Sequence, residues 1–218
     1  MDEGFTLPPG GFADRAEAGR LLAEALDDLE GDVVVLAIPR GGVPVAAEVA
    51  GRRGWPLDVV IPRKIGAPGN PELGLGAIAP GVRVLDTGII ERLGVPPEYL
   101  EEEIERQEAE IRRRAEAYRR GRPPASVAGK TAVVVDDGVA TGGTAAAALR
   151  WARAQGAAAT ILATPVGAPE SLRRLSREAD RVVVLAAPER FYAVGQWYRD
   201  FEQTSDDEVV RLLAEAGA

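Results

Sequence analysis

The sequence predicts one α/β domain in which helices flank a parallel, twisted sheet. Apolar runs of strand length, such as residues 33–38 and 130–135, alternate with segments of helical periodicity. Strands that alternate with helices require a parallel sheet with right-handed crossovers. The length of 218 residues suits a single domain of this class with an appended lid.

The composition excludes several kinds of site. The chain has no cysteine and no histidine, which removes disulfides, thiolate and imidazole catalysis, and zinc sites built on either residue. The formal net charge of −8 argues against nonspecific binding of nucleic acid, which depends on lysine and arginine. The chemistry must therefore come from carboxylates, hydroxyls, basic side chains and backbone groups.

The cellular setting is predicted from what the sequence lacks. No run approaches the roughly 20 apolar residues of a membrane span, and the first residues do not resemble a signal peptide. We expect a cytoplasmic protein with no membrane or nucleic-acid partner. Asparagine and methionine each occur once, a pattern that thermophilic proteins share and that genomic base composition also produces.

Helices and strands alternate along the first half of the chain. Asp14 is the expected N-cap of a first helix, and the apolar run after it suits a strand covered on both faces. In order, the pattern predicts a helix over 14–30, a strand over 33–38, a helix beginning near Pro44, a strand over 57–61, a loop rich in glycine and proline through 71, and a hairpin of 73–79 and 82–85.

Residues 96–120 form the most charged stretch and predict a long, mostly solvated helix. Its narrow apolar stripe consists of Leu100, Ile104, Ile111, Ala115 and Tyr118. Two interpretations stay open, a lid over the site or the seam of a homodimer, and the second is the prediction here. After a linker over 121–126 come a strand over 130–135, helices over 144–154 and 170–178, strands over 160–164 and 181–186, and a last helix over 206–213.

The main functional signal is a buried strand that ends in two adjacent carboxylates, Asp136 and Asp137, and continues into a glycine-rich turn. Glycines let backbone N–H groups approach an anion, hydroxyls add donors, and the next helix adds its dipole. Two carboxylates would repel a neighbouring phosphate unless they faced another partner. The vicinal hydroxyls of a ribose are suitable, because they are donors that need acceptors. An ordinary strand-to-helix turn is the alternative. The predicted phosphate cradle comprises Val139, Ala140, Thr141, Gly142, Gly143 and Thr144.

This stretch resembles the phosphoribosyl diphosphate motif of the type I phosphoribosyltransferases, a strand followed by two acids and a T-G-G-T-like loop. The resemblance implies that Asp136 and Asp137 bind the ribose 2- and 3-hydroxyls and that residues 139–144 bind the 5-phosphate. Members that use 6-oxopurines usually have an aspartate at the position of Ala140, so the loop is most similar to the adenine enzymes. Gly138 replaces the usual aliphatic residue, and we expect looser packing under the loop.

Two basic segments are the predicted diphosphate contacts. The resemblance assigns the turn after the first strand, with Arg40, Gly41 and Gly42, to the pyrophosphate loop; by itself it could be an ordinary turn. Arg63 and Lys64 are expected to close the second strand at its carboxyl end, with Lys64 as the better candidate. A solvated pair at a strand exit is the alternative there.

The resemblance also implies an organisation for the chain. We expect one phosphoribosyltransferase-like domain over residues 1–218, with a flap and long-helix insertion over 62–125 and a C-terminal hood over 187–218. In the family the hood supplies an aromatic side chain that stacks on the nucleobase. The candidates are Phe191, Tyr192, Trp197 and Tyr198, with Phe201 nearby, and a plain aromatic core is the alternative.

The implied function is transfer of the 5-phosphoribosyl group from phosphoribosyl diphosphate to a nucleobase of the purine class, with release of pyrophosphate. The implied cofactor is Mg²⁺, held through the diphosphate near Asp136 and Asp137. Small-molecule substrates and a homodimer are the implied partners. Two alternatives remain, a non-catalytic sensor of phosphoribosyl diphosphate or nucleotides and a phosphoesterase, and no residue is an obvious base for the acceptor.

Overall fold

The computed structural model describes residues 7–8 and 10–216, which contain a five-stranded parallel sheet and a three-stranded antiparallel sheet. The strands are β1 Val33–Ala37, β2 Leu57–Val59, β3 Arg63–Ala67, β4 Asn70–Ala79, β5 Val82–Leu85, β6 Thr131–Val135, β7 Ala159–Val166 and β8 Arg181–Ala186. The helices are α1 Arg15–Glu24, α2 Gly42–Arg53, α3 Thr87–Leu93, α4 Pro97–Arg119, α5 Gly143–Ala154, α6 Pro169–Leu175 and α7 Asp206–Glu215, with a 3₁₀ turn over Val194–Trp197.

The main sheet has the strand order β2-β1-β6-β7-β8, and every neighbouring pair is parallel. Strand β1 is buried on both faces: Val33, Val35 and Ala37 belong to one core cluster, and Val34 and Leu36 belong to the other. This arrangement confirms the predicted parallel α/β fold. It also follows from the sequence pattern, because a strand with both faces covered needs an uninterrupted apolar run.

The register of β1 against β6 brings two predicted loops together. Val33 pairs with Thr131 and Ala37 pairs with Val135, so the two strands end side by side. The amide of Ile38 continues the ladder by donating to the carbonyl of Val135 at 2.8 Å. The turn after β1 and the acidic pair after β6 therefore meet at the carboxyl edge of the sheet, where ligands of open α/β sheets bind.

The segment after β2 differs from the prediction. The second strand ends at Val59, and the expected loop instead forms the antiparallel pair of β3 and β4. Glycines misled the sequence interpretation because they serve close backbone packing here: a side chain at Gly66 would lie 2.8 Å from the Cα of Pro71, and one at Gly76 would lie 2.2 Å from the carbonyl oxygen of Val84. Helix α3 was also not predicted; Asp86 caps its amino end.

The apolar stripe of α4 faces the interior of its own chain. Ile104, Ile111 and Tyr118 are at most 3% exposed, and α4 packs against β3, β4 and α7. The prediction that this stripe forms a dimer seam is therefore wrong, because its apolar surface is already buried. A homodimer built on another surface stays a prediction. None of the helices in the described parts of the chain has the length and apolar content to cross a membrane.

Candidate active site

The loop between β6 and α5 encloses a small cavity. Gly142 has φ +75°, a left-handed conformation that favours glycine, and it lies directly before the first turn of α5. The cavity has a volume of about 140 Å³, enough for an anion of phosphate size. Its lining residues are Asp136, Gly138, Val139, Ala140, Thr141, Gly142, Thr144 and Ala145.

Helix α6 anchors this loop through two side-chain hydrogen bonds. The Ser171 hydroxyl donates to the carbonyl of Ala140 at 2.6 Å, and the Arg174 guanidinium donates to the carbonyl of Thr141 at 2.6 Å. These bonds satisfy two loop carbonyls on the α6 side.

Asp136 and Asp137 form a crowded acidic pair at the edge of the cavity. Burial raises the pKa of Asp136 well above its usual value, and the neighbouring charge of Asp137 raises it further. Burial also raises the pKa of Asp137, but the charge and the hydrogen bond of Arg15 oppose this rise. The backbone amide of Asp137 donates to Oδ1 of Asp136 at 3.0 Å, which fixes the Asp136 side chain against the backbone of the next residue.

Arg15 is a site residue that the sequence interpretation missed. Its Nε lies 2.8 Å from Oδ2 of Asp137, and the two side chains are only 12% and 14% exposed. The residues are 122 positions apart. No local pattern could have revealed this pair, because Arg15 lies in the first turn of an ordinary amphipathic helix.

The turn after β1 approaches the acidic pair very closely. A side chain at Gly41 would lie 2.0 Å from Oδ2 of Asp137, and one at Gly42 would lie 2.7 Å from the carbonyl oxygen of Val135. The peptide bond between Pro39 and Arg40 is cis. Neither glycine position has room for a side chain. This steric constraint explains the two glycines of the turn independently of any ligand.

Arg40 extends from this turn toward the C-terminal helix. Its Nη1 lies 3.5 Å from Oδ1 of Asp206, the first residue of α7. The phenol of Tyr118 donates to the same oxygen at 2.8 Å, and burial together with this bond raises the pKa of Tyr118 to about 12. One carboxylate therefore links the turn, α4 and α7.

Arg63 and Lys64 do not close the second strand as predicted; they begin β3. The Arg63 Nε donates to Oε1 of Gln107 on α4 at 2.8 Å, and burial followed by the nearby charge of Arg114 lowers its pKa. Lys64 is exposed and pairs with Ala77, whose side chain lies 3.9 Å from the position of a side chain at Gly143. Since paired residues share a face of the sheet, Lys64 projects on the side of the loop between β6 and α5.

The aromatic cluster of the C-terminal segment divides into two groups. Tyr198 is 6% exposed, its ring packs between Phe12 and Phe201, and its hydroxyl donates to the carbonyl of Asp137 at 2.6 Å. This burial argues against the predicted stacking of Tyr198 on a base. Phe191 and Trp197 stack on each other at 6.2 Å between centroids, and Tyr192 is 85% exposed.

Two further features of this segment were not predicted. The Nε1–H of Trp197 is buried and has no hydrogen-bond acceptor within the described part of the chain. Val194 covers Gly138: a side chain there would lie 2.4 Å from Cγ1 of Val194. The expectation of loose packing under the loop is therefore wrong, because a residue of the hood fills the space that the glycine leaves.

Comparisons with known proteins find a family profile and relatives that cover most of the chain. The family profile described as phosphoribosyl transferase domain matches residues 13–198. Rv0571c, a Mycobacterium tuberculosis protein whose name refers to a phosphoribosyl transferase, is 50% identical over 216 residues, which cover 95% of this chain and 49% of that protein. The chain thus spans about half the length of the curated relatives it matches.

A solved structure is similar over nearly its whole length. The crystal structure of TT1426 from Thermus thermophilus has a TM-score of 0.80 and 48% sequence identity, and the match covers 94% of this chain and 98% of that one. The fold described above is therefore shared with a relative of nearly the same length.

Proposed function

This chain belongs to the phosphoribosyl transferase domain family, and we propose that it transfers the 5-phosphoribosyl group of phosphoribosyl diphosphate to a nucleobase, with release of pyrophosphate. The observation that carries the proposal is the cavity of about 140 Å³ that one loop forms beside two mostly buried carboxylates. A phosphate site next to paired acceptors fits a ribose 5-phosphate, because the acids accept the vicinal hydroxyls while amides and hydroxyls hold the anion.

The sugar phosphate would be held by a single continuous segment. The amide of Val139 already donates to the carbonyl of Val166 at 2.9 Å, so the backbone N–H groups of 140–144 and the hydroxyls of Thr141 and Thr144 bind the 5-phosphate. Asp136 and Asp137 bind the ring hydroxyls. The chemical step builds positive charge on the sugar as the bond from C1 to the diphosphate loosens. The negative charge of Asp136 and Asp137 beside the ring stabilises this positive charge, which lowers the activation barrier of the transfer.

The departing diphosphate needs positive groups, and these come from several elements. Arg40 is the first candidate, and the amide of Gly41 lies in the same turn, whereas the amide of Gly42 already donates to the carbonyl of Ile38 at 3.0 Å. Lys64 and Arg63 of β3 are the further candidates. A planar guanidinium suits two phosphate oxygens at once. Lys64 projects on the side of the loop between β6 and α5, and it is therefore the stronger candidate of the β3 pair.

The donor set fits Mg²⁺ only when the diphosphate contributes ligands. Within residues 7–8 and 10–216, no group of three or more acidic side chains could hold a metal ion. Magnesium in such sites is bound by substrate phosphates together with one or two carboxylates. We therefore place the ion on the diphosphate, near Asp136 and Asp137, where it would neutralise part of the departing charge.

The acceptor base is assigned to the C-terminal hood. Phe191, Tyr192 and Trp197 offer aromatic surface there, and the free N–H of Trp197 could donate to a ring nitrogen or an exocyclic oxygen. Ala140 in place of an aspartate makes the loop more similar to that of the adenine enzymes, but this match does not fix the base. No side chain of the site is an obvious base, so the acceptor would lose its proton to water, a backbone carbonyl or a carboxylate.

The test is release of pyrophosphate from phosphoribosyl diphosphate and Mg²⁺ with a panel of purine and pyrimidine bases. We expect one purine to give release, and Asp137→Asn to lower both turnover and donor affinity by roughly 100-fold, because a buried carboxylate contact is lost. Asp28→Asn is the matched control, since this 65% exposed acid pairs with Arg181 at the amino end of β8.

The other outcomes separate the remaining interpretations. Tight donor binding without release for any base would contradict the transferase and support a sensor. Release that is independent of any acceptor would indicate hydrolysis. Unchanged donor affinity in Asp137→Asn would contradict the role assigned to this acid.

A further inference from the structure

Arg15 joins three parts of the molecule that are distant in sequence. Its Nε contacts the Asp137 carboxylate at 2.8 Å, and its Nη1 donates to the carbonyl of Glu202 at 2.7 Å. Its guanidinium carbon lies 3.9 Å from the centroid of the Phe201 ring, in the geometry of a cation–π contact. All three surfaces of this side chain, two edges and one face, are thus in use.

Asp137 is in turn held from outside its own loop. Arg15 binds its carboxylate, and Tyr198 donates to its carbonyl at 2.6 Å. Gly41 leaves no space on a third side, since a side chain there would lie 2.0 Å from Oδ2. The charged groups that act on this carboxylate are Arg15, which opposes the rise in its pKa, and Asp136.

We propose that Arg15 is a positioning residue for the sugar site: it holds the Asp137 carboxylate in the orientation that receives the ribose hydroxyls and couples that orientation to the C-terminal segment 198–202. The inference rests on the proposed function, because it assumes that Asp137 contacts the sugar. It gives the hood a direct mechanical connection to the donor site, independent of any stacking on the base.

The chemistry of the side chain explains why arginine stands here. An ionised carboxylate offers both oxygens as acceptors to hydroxyls, whereas a protonated one uses one oxygen as a donor, and burial beside Asp136 works against ionisation. A guanidinium is a permanent cation whose planar edge can donate to a carboxylate and a carbonyl while its face packs on an aromatic ring. A lysine ammonium supplies the charge but neither the second directed bond nor the stacking face.

The test compares two ligands that differ only in the sugar. Isothermal titration calorimetry measures binding of ribose 5-phosphate and of inorganic phosphate to the wild type, Arg15→Gln and Arg15→Lys. We expect Arg15→Gln to weaken ribose 5-phosphate binding about tenfold and inorganic phosphate less than about twofold, because phosphate needs only the loop. Arg15→Lys should restore part of the loss, and both variants are checked by thermal melting.

Controls separate a positioning role from a structural one. Arg20→Gln removes a cation of the same helix whose partner Glu48 is on the surface, and it should change neither affinity. Phe201→Leu should weaken ribose 5-phosphate binding in the wild type and have little further effect in Arg15→Gln, because the two residues act through one contact. Equal losses for both ligands, or no loss for either, would overturn the inference.

The same titrations distinguish this inference from the proposed function. If the wild type binds inorganic phosphate but gains nothing from the sugar, the proposed function fails, and the role of Arg15 fails with it. If the wild type prefers ribose 5-phosphate and Arg15→Gln keeps that preference, only the positioning role is overturned.

Discussion

The two turns proposed to bind anions are built in different ways. The first turn, residues 136–144, follows its strand directly and has its acids, glycines and hydroxyls in one continuous stretch. The turn over 39–42 carries one arginine, and its surroundings come from α4 and α7, which contribute Tyr118 and Asp206. The groups of the first turn are therefore close together in sequence, whereas the groups around the second turn come from distant elements.

The two turns also use glycine for different reasons. Gly142 has a left-handed backbone that side chains disfavour, so the constraint is conformational and local. Gly41 has φ −59°, which any residue can adopt, and is required only because Asp137 occupies the space beside it. Substitution at Gly41 therefore tests the contact between the turns rather than the turn itself.

The largest expected effect concerns α4. The strength of its packing decides whether this helix is a rigid support of the turn over 39–42 or part of a mobile flap. Ile104 is fully buried, so Ile104→Ala should lower the free energy of unfolding by about 3 kcal/mol. Chemical denaturation measures this loss, and the exposed neighbour Glu105→Ala should change stability by no more than about 0.5 kcal/mol. A loss below about 1 kcal/mol at Ile104 would favour a weakly packed flap.

The next effect concerns the contact between the turns. Gly41→Ala should displace the Asp137 carboxylate and weaken ribose 5-phosphate binding roughly 30-fold, as measured by calorimetry. The comparison variant is Gly51→Ala in the same helix, where nothing lies within 4 Å of the added methyl group. That variant should retain affinity and gain about 0.5 kcal/mol of stability. Equal binding in the two variants would contradict the close approach of the turns.

A smaller effect is expected where the hood covers the phosphate loop. Gly138→Ala would place a methyl group 2.4 Å from Cγ1 of Val194, and we expect it to cost about 1–2 kcal/mol of stability. In a Val194→Ala background the same change should cost clearly less, because the space is then available. An equal cost in both backgrounds, measured by thermal or chemical unfolding, would show that Val194 does not occupy this space.

The smallest effect concerns the counter-ion of the turn over 39–42. Asp206→Asn removes the carboxylate that pairs with Arg40 and should strengthen binding of pyrophosphate about threefold, since exposed ion pairs contribute little. Asp207→Asn removes an equal charge from the same helix turn without that contact and serves as the control. If both variants bind pyrophosphate equally, Asp206 acts only through net charge.

The elements with a clear sequence pattern were predicted well. The apolar runs at β1 and β6 predicted both strands because complete burial leaves no polar alternation. The long helix was predicted because its charged face and apolar stripe persist along its whole length. The hairpin of β3 and β4 was missed because glycine and proline, usual in loops, here permit a bulge and a close approach of two backbones.

Within the candidate site, the sequence alone determined that a glycine-rich turn follows two adjacent acids, because residues a few positions apart have their relative geometry set by the backbone between them. Only the tertiary structure decided that Arg15 pairs with Asp137, that Tyr198 holds the same residue, and that Val194 covers Gly138. Those contacts depend on how helices and the C-terminal segment pack on the sheet, and that packing is a property of the whole core.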